Sequence, residues 1–366
     1  MILDRWHGRG GGGWPLLRIA LPAVAGLWLS ACASLRYDAQ AVHGEAALLL
    51  HRRSIARMLA DPATPPSLAR RLELALQARH FASSHLGLPD NRSYTYYVAL
   101  HRPYVVWNVF ATPRFSVQAI PQCFPFAGCV AYRGWFSEAR AEVDAAGLRA
   151  KGDDVWVGGV PAYSTLGWFA DPVLSSMLRW NDDELASTIF HELAHQLIYV
   201  KGDTAFNESF ATFVQTEGLR EWRIARRLPP DDGRSQRMYE GFTRLVLDLR
   251  DRLARLYASG VEPAAMAAGK RCEIAAFRRR YAQWRDTHWP GDHRYDAWVA
   301  APINNARLLP FGLYDRWMPA FAVLFRQSNA QWPAFYARVR VLAHEPKPQR
   351  DRILQALAGG NGSVAK

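Results

Sequence analysis

The chain has 366 residues, of which 49% are hydrophobic and 12% are aromatic, and this composition excludes an intrinsically disordered protein. The formal net charge of +12 is compatible with acidic partners such as the phosphates of lipids or lipopolysaccharide, but we favour the alternative that the basic residues lie on solvated helix faces. The arginines are scattered over helical stretches and are not interleaved with stacking aromatic residues, so we predict no nucleic-acid partner.

The first 31 residues have the pattern of a secretory signal peptide. A basic, Gly-rich stretch precedes a short apolar run, IALPAVAGLWLSAC, which is too short to span a membrane comfortably. The last four letters of this run resemble the bacterial lipobox, so we expect residues 1–31 to be removed and Cys32 to be lipid-modified. A retained signal anchor is the alternative. Ala33 favours the outer membrane, by resemblance to other bacterial lipoproteins, and we therefore expect a periplasmic, lipid-anchored protein.

Three further cysteines are present, and an oxidising compartment would allow two of them to pair. Cys123 and Cys129 enclose FPFAG, a loop flexible enough to close a disulfide, and we favour this pair over any pairing with Cys272. Sequence alone does not fix the connectivity, and no CxxC metal pattern occurs.

Residues 32–358 are predicted to form one α+β domain, mostly helical with a small mixed sheet. The expected order is a helical part from about residue 39 to 86, a sheet at about 93–166, metal-site helices at about 182–222 and a helical C-terminal part. Residues 359–366 are predicted to be a disordered tail. The strand-like segments are YTYYVAL, YVVWNVF, FSVQAI and DVWVGGV, interrupted by the helical pattern SEARAEVDAAGLRAKG.

Two histidines that are four residues apart carry the strongest chemical signal. If DDELASTIFHELAHQLIYV is helical, the imidazoles of His191 and His195 lie on one face and can share a metal ion. The helix is plausible because Asn181 or Asp182 can cap its start and Gly202 can stop it. These residues predict half of a metal site.

Catalytic zinc usually takes three protein ligands, so the sequence must supply a third. The metzincin pattern is excluded because Ile198 and Lys201 occupy the positions of its glycine and its third histidine. Glu208 fits, since an antiparallel helical hairpin that turns back near Lys201 brings it to the level of His195. Glu217 would sit much further along the second helix and is the weaker candidate.

Glu192 follows the first histidine directly and is therefore not expected to be a ligand. In an HExxH site this glutamate faces the metal-bound water and accepts its proton. The competing interpretation is an ordinary helical hairpin with polar residues. Apolar residues are interleaved with the polar ones, however, and Glu208 arrives independently at a compatible position.

The sequence resembles the gluzincin metallopeptidases, since NESFATFVQTEG is similar to the segment that carries the third ligand in zinc aminopeptidases. More closely, it resembles predicted aminopeptidases found as bacterial outer-membrane lipoproteins, through STIFHELAHQLIYVKGDTAFNESFATFVQTEG and the weaker pieces VPAYSTLGWFADPVLSSML, NNARL and YDRWMPAFAVLF. The resemblance implies a zincin-like fold and one zinc per chain, held by His191, His195 and Glu208. It makes Glu192 the base and Thr212 a residue that orients a ligand.

Substrate binding is less clearly marked. The segment VPAYSTLG lacks the glutamate with which many aminopeptidases hold the substrate's amine, and Asp171 or Glu217 could serve instead. We expect Ala162–Gly167 to be an edge strand that pairs with an extended peptide.

The attacked carbonyl also needs a group that stabilises its developing charge. Tyr314 is our candidate, against a role as a core aromatic residue, while Asn304 and Asn305 are either pocket donors or turn residues.

The predicted function is zinc-dependent hydrolysis of peptides in the periplasm, with aminopeptidase action the favoured form. The alternatives are a non-catalytic envelope-binding lipoprotein with a zincin fold and a zinc amidase that acts on peptidoglycan stem peptides. Retention of Glu192 favours catalysis, because a purely structural metal site has no use for a base beside its ligand.

Overall fold

A computed structural model describes residue 37 and residues 39–124, 128–162, 164–312 and 316–359. The predicted signal peptide, the lipidation site Cys32 and the oxyanion candidate Tyr314 lie outside these described residues, as do residues 360–366 of the predicted tail. Within the described part of the chain, no helix has both the length and the apolar character that crossing a membrane requires.

Contacts divide the chain into two compact units, Met1–Leu50 and His51–Lys366. A helix over residues 39–51 (α1) belongs to the first unit except for its last residue, and the second unit is mostly helical. The helices of the second unit are α2 (Ile55–Leu59), α3 (Pro66–Ser84), α4 (Glu138–Ala150), α5 (Asp182–Leu197), α6 (Thr204–Ala225), α7 (Arg234–Ala258), α8 (Pro263–His288), α9 (Asp296–Ala300), α10 (Met318–Gln327), α11 (Trp332–His344) and α12 (Lys347–Gly359), with short 3-10 helices at Met177–Arg179 and Ala306–Leu308.

The strands form three small sheets. In the first, β2 pairs antiparallel with β1 and parallel with β8; in the second, β3 lies between β6 and β7 in an antiparallel arrangement; the third is a hairpin of β4 and β5. The strands are β1 (Arg53–Ser54), β2 (Tyr96–Val98), β3 (Val106–Thr112), β4 (Gln122–Phe124), β5 (Gly128–Val130), β6 (Tyr132–Trp135), β7 (Asp154–Val160) and β8 (Val173–Leu174). The α+β class is confirmed.

The prediction of one sheet over residues 93–166 is wrong, and the reason lies in two segments that form no strand. After β3, Pro113 starts a turn in which the Ser116 amide donates to the Pro113 carbonyl at 3.1 Å, so residues 115–120 do not continue the strand. After β7, the described residues of Ala162–Gly167 are likewise in no strand. Prolines at the ends of both strands remove the amide hydrogens that a longer ladder would need.

A disulfide joins Cys123 and Cys129 across the hairpin of β4 and β5, where these two residues are directly paired. Cys272 on α8 is a free, exposed thiol. The cross-link therefore lies at the edge of the sheets and leaves the helical part of the chain without a covalent constraint among its described residues.

The helical part has two buried regions. Helix α5 packs against α3 and α6, and α6 also packs against α10. Aromatic rings fill the second side of α6: Phe210 contacts Phe321 and Phe335, with ring centroids 5.8 and 6.2 Å apart. The other region is formed by α7 and α8, whose apolar side chains pack together with Val299 of α9. The first of these regions carries the polar residues that sequence analysis singled out.

Candidate metal centre

Helix α5 begins at a strong local signal. The Asn181 side chain accepts a hydrogen bond from the Glu184 amide at 2.9 Å, and the Glu184 carboxylate accepts one from the Asn181 amide at 3.2 Å. This capping box, together with acidic residues in the first turn, satisfies amide groups and complements the helix dipole. The rest of the helix buries an apolar stripe that includes Ile189 and Leu193, so the histidines of α5 have fixed positions.

The chain reverses between α5 and α6 as the sequence predicted. Gly202 in this connection has φ of +78°, a conformation that glycine adopts without strain, and Asp203 caps α6 by accepting the Phe206 amide at 3.3 Å. Asn207 is 1% exposed and holds the loop from inside: its side chain accepts the Val200 amide at 2.7 Å and donates to the Val200 carbonyl at 2.8 Å. The residue before Glu208 is thus fixed to the end of α5.

A second clamp joins this loop to the last helix. Asp203 is 3% exposed, and its carboxylate accepts two hydrogen bonds from the buried guanidinium of Arg350, at 2.6 and 3.2 Å. Lys347 adds a longer contact at 3.4 Å. These contacts lower the pKa of Asp203 although burial acts in the opposite direction, because the cations stabilise the charged form.

The two helices bring three ligand atoms together. The Nε2 atoms of His191 and His195 are 3.0 Å apart, and the Glu208 carboxylate oxygen lies 3.4 Å from the first and 3.6 Å from the second. Zinc bonds of about 2.0–2.2 Å at tetrahedral angles place ligand atoms roughly 3.3–3.6 Å apart. The structure therefore brings the three predicted ligands into an arrangement that fits one metal ion.

The electrostatics of this cluster also suit a cation. Burial alone would raise the pKa of Glu208, but His195 and His191 outweigh burial and hold this pKa below its ordinary value. Burial lowers the pKa of His195, but the Glu208 carboxylate raises it by more, so the net shift of this pKa is upward. A metal ion would compete with protons for these ligand atoms, because histidine and carboxylate ligands bind metal in their deprotonated forms.

Gln215 contacts one of the predicted ligands, and sequence analysis did not identify it. Its side-chain oxygen lies 2.9 Å from Nδ1 of His191, and its amide group donates to the hydroxyl of Ser187 at 3.4 Å. Because a glutamine oxygen accepts, Nδ1 carries the hydrogen and Nε2 is left free to bind a metal. Gln215 follows Glu208 by seven residues, so the helical period could have indicated it.

Thr212 does not make the predicted contact with a ligand. Its hydroxyl oxygen is buried and has no hydrogen-bond partner among the described residues, while the neighbouring position one turn on supplies the partner of His191. The Nδ1 atom of His195 is also buried and has no partner in this part of the chain. Of the two Nδ1 atoms, therefore, that of His191 has a hydrogen-bond partner and that of His195 has none within the described structure.

Glu192 follows His191 directly on α5. Gln196, one helical turn later, lies on the same face of α5 as Glu192. Burial is the main cause that raises the pKa of Asp171 to about 6 and the pKa of Tyr94 well above its usual range, and the Glu192 carboxylate adds to both shifts. A raised pKa through a like charge requires proximity. Asp171 and Tyr94 therefore lie on the same side of α5 as the predicted base.

Asp171 is too well satisfied to hold a substrate amine. It is 1% exposed, and its carboxylate accepts hydrogen bonds from the amide and hydroxyl of Thr165, the hydroxyl of Ser164 and the side chain of Gln196. The Thr165 amide is a donor that an edge strand at Ala162–Gly167 would have offered to a peptide, so this bond is the physical reason why the predicted strand does not form.

Three other predicted polar residues are occupied elsewhere. Glu217 accepts from Arg220 at 2.9 Å, Asn304 donates to the Val155 carbonyl at 2.9 Å, and Asn305 donates to the Arg114 carbonyl at 3.0 Å. The two asparagines thus tie the 3-10 turn at Ala306–Leu308 to the second sheet rather than lining the metal centre.

Comparison with known families gives one match. The model of a family described as "Putative aminopeptidase" matches residues 36–354. Neither the curated proteins nor the solved structures contain a significant match to this chain.

Proposed function

Because the chain belongs to the putative aminopeptidase family, we propose that it is a zinc-dependent peptidase that hydrolyses peptides, with aminopeptidase action as its most specific form. The observation that carries the proposal is the convergence of His191, His195 and Glu208, whose ligand atoms lie 3.0 to 3.6 Å apart. Two imidazole nitrogens and one carboxylate oxygen are a donor set typical of catalytic zinc in hydrolases. The family relationship supports a hydrolase, and the ligand set supports zinc.

When bound, zinc would make water more acidic and would polarise the carbonyl of the substrate. Glu192 would accept a proton from the attacking water and deliver it to the leaving amine. It is suited to this role because it projects beside the ligand stripe of α5 without joining the three ligand atoms. Gln215 holds the His191 ring through Nδ1, and the clamp of Asn207 on Val200 keeps Glu208 opposite the histidines.

We also propose that the protein acts in the periplasm, attached to the outer membrane through a lipid on Cys32. The support is the sequence of residues 1–33, and several acyl chains on one cysteine would give stable attachment. Labelling with a radioactive fatty acid tests this: label on the wild type and none on Cys32→Ala is the expected result.

The metal assignment is tested by zinc analysis of the purified protein. One zinc per chain is expected, and His191→Ala or His195→Ala should lose it, because removal of one of three ligands weakens chelation. Full zinc occupancy in both variants would place the metal elsewhere.

Catalysis is separated from metal binding by two conservative substitutions. Glu192→Gln keeps the size of the side chain but accepts no proton, so hydrolysis of a library-selected peptide should fall at least about a hundredfold while zinc content and thermal stability stay near the wild-type values. Glu208→Gln should instead weaken zinc itself, since a neutral amide is a poor ligand. A wild-type rate in Glu192→Gln would show the mechanism to be wrong, and a wild type that cleaves nothing in a broad library would favour a binding role.

A further inference from the structure

The segment that follows β7 is a locked turn that exposes two aromatic side chains. The Trp168 amide donates to the Thr165 carbonyl at 3.2 Å, and the Phe169 amide donates to the Thr165 hydroxyl at 3.1 Å. Trp168 is 73% exposed and Phe169 is 48% exposed. We call residues 164–169 the aromatic turn.

The turn is held at a cost to stability. Leu166 and Gly167 both have positive φ, of +56° and +83°, and this conformation is strained for leucine. Its anchor, Asp171, is a buried carboxylate whose pKa burial raises to about 6. Such strain persists only where many surrounding contacts hold the backbone in place, and strained residues cluster at sites that bind ligands.

The aromatic turn lies next to the face of α5 that carries Glu192, the proposed base. A Cβ atom added to Gly167 would lie 3.4 to 3.6 Å from the side chain of Gln196, so the backbone of Gly167 lies next to that side chain. Gln196 also donates to Asp171 at 3.0 Å. Glu192 is four residues before Gln196, and side chains at this spacing are neighbours about 5–6 Å apart on a helix. The aromatic turn is therefore about one helical turn from the carboxylate that would act on the scissile bond.

An exposed tryptophan beside a phenylalanine offers apolar surface that water solvates poorly, so burying these side chains against an apolar group is favourable. We propose that Trp168 and Phe169 form an apolar subsite that receives a large aliphatic or aromatic side chain of the substrate peptide. The proposal rests on the proposed peptidase function and adds the substrate class. A rigid turn suits this role, because little conformational entropy is lost when the peptide binds.

The test compares two peptides that differ at one residue. A peptide library first identifies a cleaved peptide with a phenylalanine or leucine whose replacement by alanine lowers kcat/KM. Trp168→Ala and Phe169→Ala should then lower kcat/KM for the apolar peptide about tenfold or more, mainly through KM, while the alanine peptide changes less than about twofold. Equal losses on both peptides, or no loss on either, would overturn the subsite.

Ile224→Ala is the matched control. Ile224 is 62% exposed on α6, the helix that carries Glu208, but it lies 16 residues later, which is about 24 Å along the axis. Its removal deletes a comparable exposed apolar side chain and should leave both peptides unaffected. Thermal unfolding of all variants checks that the turn itself is intact.

Binding gives a measurement that does not depend on turnover. Isothermal titration of Glu192→Gln protein with the two peptides should show tighter binding of the apolar one, and Trp168→Ala added to this background should remove the difference. If the wild type hydrolyses nothing and the binding difference is still found, the subsite stands and the peptidase function fails. If no binding difference is found, the subsite fails.

A membrane is the other surface that exposed aromatic residues could contact. Sedimentation with vesicles of phosphatidylethanolamine and phosphatidylglycerol, in a Cys32→Ser background that removes the proposed anchor, distinguishes the two. Vesicle binding that Trp168→Ala abolishes, together with unchanged peptide selectivity, would overturn the proposal.

Discussion

Two helical pairs in this molecule, α5 with α6 and α7 with α8, are both packed lengthwise, yet they bury different side chains. Between α7 and α8 the buried residues are apolar or aromatic apart from Thr243. The buried residues of α5 and α6 include the polar residues His195, Ser187, Asn207 and Ser209. The pair of α7 and α8 shows which side chains the helices of this protein bury where only stability is at stake.

The comparison indicates why the polar residues are present in α5 and α6. A buried polar group costs free energy unless it is hydrogen-bonded, so apolar residues would have made a more stable interface. Asn207 is fully paired with the backbone of Val200, whereas Nδ1 of His195 has no partner among the described residues. Thr212 of α6 and Thr243 of α7 also have buried hydroxyls without a partner in this part of the chain, so an unpaired polar atom is not by itself a mark of function. What distinguishes α5 and α6 is that the unpaired Nδ1 belongs to one of three residues whose ligand atoms converge, and functional sites are where violations of local stability are expected.

The largest expected effect is in the apolar pair. Phe242 on α7 is 1% exposed and stacks on Tyr295 with ring centroids 4.0 Å apart. Phe242→Ala should lower the free energy of unfolding by about 3–5 kcal/mol, because it leaves a cavity in addition to the lost burial. Urea unfolding measures this loss. Zinc per folded molecule should stay at the wild-type level; a loss as complete as that expected for His195→Ala would erase the distinction between the two pairs.

The second expected effect concerns the buried carboxyl group of Asp171. The pKa of Asp171 is about 6 in the folded protein, against 3.8 for the ordinary group, so between these two values the folded protein holds more protons than the unfolded chain. Its contribution to stability is therefore fully present below about pH 4 and is lost as the pH rises through about 6. At 1.36 kcal/mol per unit the loss is at most about 3 kcal/mol.

Asp171→Asn provides the measurement, because the amide stays neutral over this range. Chemical unfolding at pH 4, 5, 6 and 7 should show wild-type stability falling relative to the variant as the pH rises. Parallel curves for the two proteins would mean that Asp171 is not held in its protonated form.

The smallest expected effect on stability comes from two asparagines, each of which donates one side-chain hydrogen bond to the backbone and accepts one from it. Only one of the two lies beside the candidate metal centre. Asn207 donates to Val200 and accepts from it, while Asn304 donates to the Val155 carbonyl and accepts from the Arg307 amide at 3.1 Å. Substitution of either residue by alanine should cost about 1–2 kcal/mol of stability.

Only Asn207→Ala should also weaken zinc, by roughly tenfold, because the clamp lies next to Glu208. Competition with a chromophoric chelator measures the zinc affinity of both variants. Equal zinc affinities would show that the clamp serves stability alone.

The metal centre could be predicted to a large extent from the sequence, because its geometry is local. A spacing of four residues puts His191 and His195 on one helical face, and a short connection fixes Glu208 opposite them. Gln215 was not predicted: its spacing from Glu208 places it on the same face of α6, but the rotation of α6 that brings this face to His191 depends on packing against α10 and α11.

The sheets were predicted less well, because composition does not show where hydrogen-bond donors go. Residues 162–167 have a strand-like pattern, but a carboxylate at Asp171 takes the Thr165 amide and the segment turns instead. Pro113 similarly ends β3 before the apolar residues that follow it. In both cases one side chain or ring outweighs the propensity of a whole segment.

The pairing of Asp203 with Arg350 sets an order of events during synthesis. The two residues are 147 positions apart, and an uncompensated buried charge costs several kcal/mol. A nascent chain that has already emerged through α6 carries both histidines and Glu208, but it has no counter-charge for the loop between α5 and α6 until Arg350 leaves the ribosome. We therefore expect a chain that ends before α12 to hold the connection between α5 and α6, and with it Glu208, less firmly than the finished protein does.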